Sequence, residues 1–227
     1  MDTDPGNVET YYKYFYSRMV GLNASGLMRL LWMYPHKLME KPFKGQYFEK
    51  ILELGAGSGE HLHATSPKCA YYFATDIDLN RLQAIPSNND FQVIKSIQDA
   101  TGLKFKDEEF SRLIATCLLA HLENPETALN EWRRVVKPGG VLTIYLPCEP
   151  GLMLRMFRKF VSNRKANKLG YSGFSLYIAR DHNNSAQNMM ELIKHVFRED
   201  RIRMKFRPFP LRSWYLNLFI VVQITKV

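Results

Sequence analysis

Residues 51–60 read Ile51-Leu52-Glu53-Leu54-Gly55-Ala56-Gly57-Ser58-Gly59-Glu60, and this stretch decides the fold. A short apolar run is followed at once by three glycines at every second position. Polar residues with helical spacing come next. That is the pattern of a buried strand, a tight turn and a helix start. Glycines in such a turn let the backbone approach a ligand, and the helix start offers free N–H groups. The spacing departs from the dinucleotide pattern G-x-G-x-x-G/A, in which the sixth position is small and sits beside a pyrophosphate. Here the sixth position is Glu60, whose carboxylate would repel a pyrophosphate. Glu53, at the end of the strand, suits a ligand with a positively charged ammonium group.

Working outward, short apolar runs alternate with amphipathic stretches from Lys50 onward. Strands are expected at 51–54, 71–75, 91–97, 113–117 and 141–146, with a helix over 125–136. Lys137-Pro138-Gly139-Gly140 is expected to break that helix and turn. Strands alternating with helices mean parallel βαβ units with right-handed crossovers. After Pro147 the rhythm changes. A helix is expected over 152–161, a polar loop over 163–184, and a helix capped by Ser185 running to about Val196. Strands follow at 201–207 and 215–225, giving a parallel sheet an antiparallel finish. The fold class is therefore α/β: a Rossmann-like, mostly parallel seven-stranded sheet with helices on both faces. A helical cap segment is expected over 1–45, and a ligand-binding domain over 46–227 with a lid-like insert at about 151–185.

The 227 residues suit one domain, and the composition (46% hydrophobic, 23% charged) is that of a globular protein. No apolar run reaches the roughly 18 residues of a membrane span. The polar, acidic start is not expected to act as a signal peptide. Cys69, Cys117 and Cys148 show neither a disulfide framework nor zinc-type spacing, so no metal is expected and a cytoplasmic setting is. The net charge of +9 points to an anionic partner or simply to a soluble basic surface.

Asp76 ends the second strand about twenty residues past the glycine loop, where a doubly wound fold sets an acid on ribose hydroxyls. Asp78 can cap the helix that follows. Asp99 ends the third strand and can meet an adenine amino group, with Ile77 on the ring, or can form a turn. His121 follows the fourth strand, at the carboxyl edge where ligands bind. It is a base candidate, or else a residue that shapes an acceptor pocket. His182 is the second candidate, its ring open to orientation by Asp181. His61 and His63 read as surface or packing residues.

Together these residues resemble the class I S-adenosyl-L-methionine (SAM) dependent methyltransferases, in particular the methyltransferase-11 or ubiquinone-biosynthesis-like branch. Residues 51–60 are similar to their motif I and 75–78 to their ribose-binding segment. Asp99-Ala100 resembles their adenine-contacting pair, and 103–110 their Leu-Pro-Phe-acidic-Phe segment. Residues 120–125 resemble Glu-His-Val-x-x-Pro, and 131–140 resemble the helix and turn before their fifth strand. The resemblance runs from about Lys50 to Leu146. It departs at Ala120, where the family often has Glu, and at Lys104, where it has Pro. It implies SAM as cofactor, held by Tyr12, Glu53, Gly55, Ala56, Gly57, Gly59, Asp76, Ile77, Asp99, Ala100 and Cys117. Tyr12, like Tyr11, lies on an N-terminal segment that in the family closes the pocket; packing is the alternative role. The implied reaction is methyl transfer to an O or N atom of a small molecule such as a sugar, lipid or secondary metabolite. The insert would close over the acceptor.

The basic, apolar stretch 152–168 leaves a second reading, an enzyme of a lipid or lipid-linked glycan at an anionic membrane surface. RNA methylation ranks lower, because no RNA-binding module or Asn-Pro-Pro-Tyr-type motif is present. A non-catalytic binding protein of this fold is disfavoured by the intact loop with Glu53 and Asp76.

Overall fold

The computed structural model describes residues 26–64, 67–168 and 174–227. Tyr11 and Tyr12 lie outside them. Helix α1 (Gly26–Glu40) and a 3₁₀ turn (Lys41–Phe43) lead into β1 (Tyr47–Leu54), α2 (Glu60–Ala64), β2 (Lys68–Asp76), α3 (Leu79–Gln83), β3 (Gln92–Ile97) and β4 (Phe110–Thr116). Then come α4 (Pro125–Val135), β5 (Val136–Pro147), α5 (Leu152–Phe157), a π turn (Arg158–Ser162), α6 (Asn163–Lys168), α7 (Phe174–Asp181), α8 (Ala186–Val196), β6 (Arg201–Arg207) and β7 (Phe219–Thr225).

The seven strands lie in the order β3-β2-β1-β4-β5-β7-β6. All neighbours pair parallel except β7, which runs antiparallel to both β5 and β6. The last strand in sequence is thus slotted inside the sheet, and β6 takes the edge. Burial explains the placement: Ile220, Val221, Val222 and Ile224 of β7 are fully buried, whereas β6 alternates with Arg201 and Arg203 exposed. Charged edge residues also discourage further strand pairing.

Strand β1 shows how the sheet is covered on both faces. Ile51 packs into one core with Tyr72, Leu82, Ile114 and Val221. Leu52 and Leu54 point to the other, with Trp132, Met189, Ile193 and Phe197. Alternate side chains entering different cores is what a pleated strand buried on both sides requires.

Three expectations are corrected. The Lys137–Gly140 segment is not a turn between helix and strand. It is an irregularity inside β5, where Phe110 pairs with Val136 but Arg112 pairs with Val141. Gly139 N–H donates to Lys226 O at 2.8 Å, so this segment is pinned by the chain's end, which sequence order hides. The polar stretch 163–184 is largely helical, as α6 and α7, with α5, the π turn and α6 forming one unbroken run. Residues 215–218 precede β7 rather than belonging to it.

Helix α1 is fastened to the sheet by a buried pair. The Arg112 guanidinium, 1% exposed, donates from both terminal nitrogens to the Glu40 carboxylate and lies 4.2 Å from the Phe43 ring centroid. His61 Nε2 joins the same carboxylate at 3.0 Å, and its Nδ1 lies 3.0 Å from His36 Nδ1. His61 is therefore an interior residue of a polar cluster that holds α1 over the sheet. Among the described residues, no helix is long and apolar enough to cross a membrane.

Candidate active site

Strand order reverses between β1 and β4, and there the loops part to leave a crevice at the carboxyl ends of the strands. A cavity of about 890 Å³ occupies it. One side is formed by Gly55, Asp76, Ile77, Asp99 and Ala100, and the other by Cys117, His121, Arg158, Asp181 and His182. Trp32 and His36 of α1 close a third side.

The glycine loop takes its shape from backbone that L side chains rarely adopt, with φ of +63° at Gly55, +56° at Gly57 and +86° at Gly59. Its N–H groups, expected to be free for a ligand, are largely used within the fold. Ala56 N–H donates to Thr75 O, Gly57 N–H to Asp76 Oδ2, Ser58 N–H to Glu60 Oε2 and Gly59 N–H to Ala56 O. Of the loop's predicted residues, Gly55 borders the cavity, while Ala56, Gly57 and Gly59 set its curvature from behind.

Asp76 joins two segments. Its Oδ2 accepts from Gly57 at 2.9 Å and its Oδ1 from Asp78 N–H at 3.0 Å. Each oxygen keeps a further acceptor site, and the side chain is on the cavity wall. Asp78 caps α3, accepting from Asn80 N–H at 2.9 Å. Asp99 both turns the chain and lines the cavity. It accepts from Thr101 N–H and Oγ1, and those bonds lower its pKa. The 103–110 and 131–134 motifs serve this same loop: Trp132 Nε1 donates to Ala100 O, and Glu131 Oε2 accepts from Leu103 N–H. Arg134 donates to both Leu103 O and Phe105 O.

Glu53 departs from its expected place. It is neither a solvated strand end nor a cavity wall; it is 1% exposed, and its Oε2 accepts from Tyr72 OH at 2.7 Å. Burial pushes its pKa up to about 7. The strand's alternation points residue 53 into the interior, behind the glycine loop.

On the opposite wall, each histidine has its own carboxylate. His121 Nδ1 is 3.0 Å from Asp181 Oδ2, and His182 Nδ1 is 2.7 Å from Glu149 Oε1. Arg158 from the π turn pairs with the same Glu149. The rings meet edge to face, 4.6 Å between centroids. Asp181 thus serves His121, sixty positions away in sequence. Burial works against charge on His121, but the hydrogen bonds and charges of Asp181 and Cys117 raise its pKa to about 10. Cys117, at the end of β4, has φ of +59°, a strained value for a residue with a side chain. Asn184 Nδ2 ties the two loops together through Leu119 O and Leu122 O. Glu149, Arg158 and Asn184 carried no recognisable motif: Arg158 meets Glu149 across a turn of chain, while Glu149 also meets His182 and Asn184 meets Leu119 and Leu122 across different elements.

Residues 52–144 match the family described as "Methyltransferase domain". Demethylmenaquinone methyltransferase of Streptomyces avermitilis is 33% identical over 96 residues, 42% of this chain and 41% of that protein. Residues 52–144, about two-fifths of this chain, are thus similar to a methyltransferase domain, and the chain shares the fold of solved SAM-dependent methyltransferases. Solved structures agree on the fold. A Thermotoga maritima SAM-dependent methyltransferase, described as a possible histamine N-methyltransferase, superposes with a TM-score of 0.61 at 18% identity, covering 97% of this chain and 99% of that one. Phosphoethanolamine N-methyltransferase 2 of Haemonchus contortus, solved with SAM, gives 0.60 at 14% identity, covering 85% and 52%. The sequence match spans about two-fifths of the length of the curated relatives. The residues present fit SAM as cofactor: carboxylates at Asp76 and Asp99 for a diol and an amino group, with Ile77 and Ala100 as apolar surface.

Proposed function

We propose that the chain transfers a methyl group to an O or N atom of a small, anionic or polar acceptor. The observation that carries this reading is a cavity whose one wall bears Asp76 and Asp99 while the other bears His121, His182 and Arg158. The cofactor supplies an activated methyl group; the chain's part is placement and exclusion of water. Asp76 and Asp99 hold one partner at the glycine loop. His121, kept in orientation by Asp181, and His182, by Glu149, present polar atoms to the other. Arg158 adds positive charge for an anionic acceptor, or orients Glu149. Such alignment of two reactants accounts for roughly 7–11 kcal/mol of a barrier. The relatives act, by their name, on demethylmenaquinone. A small-molecule acceptor here is consistent with that name.

Calorimetry with S-adenosylhomocysteine and with NAD tests the cofactor half. The first should bind and the second should not; Gly57→Arg should abolish binding. Binding of NAD alone would overturn the proposal.

A second reading, action at an anionic membrane surface, is favoured by one observation. Leu152, Met156 and Phe160 follow each other at four-residue spacing and are each more than 40% exposed. Leu154 faces inward instead, and exposed Arg155 and Lys159 flank the row. The stretch is therefore a lid on its Arg158 side and an apolar, basic surface on the other. Co-sedimentation with anionic liposomes should then be salt-sensitive and lost on charge reversal of Arg155 and Lys159. No binding at low salt would leave a soluble acceptor.

A further inference from the structure

Cys117, His121 and His182 come together in the cavity wall, although the third is 61 positions beyond the second. One ligand atom from each lies within 4.8 Å of the other two. We propose that these three side chains bind a zinc-class divalent ion whose fourth position opens into the cavity.

The donor set supports this. A thiolate with two imidazoles is a borderline-soft set that suits zinc, and three protein ligands with one open position is the form of catalytic rather than structural sites. The surroundings support it independently. Metal-bound histidines nearly always carry a carboxylate or carbonyl on the ring nitrogen that does not touch the metal. Here Nδ1 of His121 is held by Asp181 and Nδ1 of His182 by Glu149, at 3.0 and 2.7 Å. Nε2 of each ring is left as the ligand atom. Zinc bond lengths place tetrahedral ligand atoms roughly 3.3–3.7 Å apart, so closure asks for a contraction of about 1 Å. The ion takes the place of an imidazole proton, as metals do at histidine ligands. All three residues are partly exposed to the cavity, so an entry path exists.

Resting on the methyl-transfer reading, the open position would take the donor atom of an oxygen or nitrogen acceptor. A bound acceptor X–H gives its proton to water. The X lone pair then bonds to the methyl carbon as the carbon–sulfur bond breaks, and that bond's electrons stay on sulfur.

The full chain, stripped with chelator, is titrated with cobalt(II) and then displaced by zinc. The expected result is one equivalent of cobalt with the intense visible bands of a tetrahedral site and a near-ultraviolet thiolate charge-transfer band. Cys117→Ser should remove the thiolate band. His182→Ala should keep it but weaken binding, and Asp181→Asn should weaken zinc binding about 10–100-fold. Circular dichroism confirms that each variant is folded, and His182→Ala and Asp181→Asn carry the test if Cys117→Ser is not. Absence of the thiolate band in the parent chain, or zinc affinity unmoved by the variants that fold, overturns the site. S-adenosylhomocysteine binding to the metal-free protein, measured by calorimetry, separates this outcome from failure of the methyltransferase reading.

Discussion

Asp76→Asn should damage the protein twice, and the two effects can be measured separately. In the parent chain, the two carboxylate oxygens accept from Gly57 N–H and Asp78 N–H at 2.9 and 3.0 Å. Asparagine has one carbonyl oxygen and one NH₂ group, so one backbone N–H must face another donor. Asp76 is only 5% exposed, and water cannot freely repair the loss. An unsatisfied buried donor costs about 1–3 kcal/mol, which urea unfolding of the cofactor-free protein should register. On the cavity side, ribose hydroxyls lose a charged acceptor worth about 1.5–3 kcal/mol, so S-adenosylhomocysteine should bind roughly 10–100-fold more weakly by calorimetry. Asp78→Ala is the control. It removes the α3 cap, costing about 1 kcal/mol of stability, and leaves affinity near that of the parent. Parent-like affinity in a folded Asp76→Asn protein would refute the assignment of Asp76 to the cofactor, whatever its stability.

Gly59→Ala places a Cβ 3.2 Å from Ile85 side-chain carbons at φ of +86°, and should lower stability by about 1–2 kcal/mol in chemical denaturation. His121→Ala should lower turnover far more than it raises the KM for SAM, since the ring stands on the wall away from Asp76; a rise in KM as large as the fall in turnover would place it with the cofactor instead. The α1 anchor predicts acid sensitivity in two windows. Burial and the neighbouring His61 lower His36 to about 3, so the unfolded chain binds a proton below about 6.5 that the folded chain refuses, and stability falls from pH 6.5 toward 3. For Glu40, burial is outweighed by hydrogen bonds from His61 and Arg112, which lower it to about 2; its contribution is present above about 4.5 and lost as pH falls toward 2. Unfolding midpoints measured across pH should show His36→Phe flattening the upper window and Glu40→Gln the lower.

The sequence alone determined the features that depend on neighbours along the chain. Residues 51–60 fix a strand, a glycine turn and a helix start, because an apolar run, three closely spaced glycines and polar residues at helical spacing follow one another there. Asp78 and Ser185 were legible as caps, since each bonds an N–H two or three residues ahead. The five parallel strands followed from apolar runs at βαβ spacing. Tertiary structure decided what depends on distant partners. It set β7 between β5 and β6, turned Glu53 inward to Tyr72, and pinned the 137–140 segment against Lys226. It gave Asp181 to His121 and Glu149 to His182, and drew Cys117 beside both rings. The physical reason is common to all of these: a side chain's partner across the sheet or across a cavity is chosen by packing between elements, and residue spacing along one chain carries no record of it.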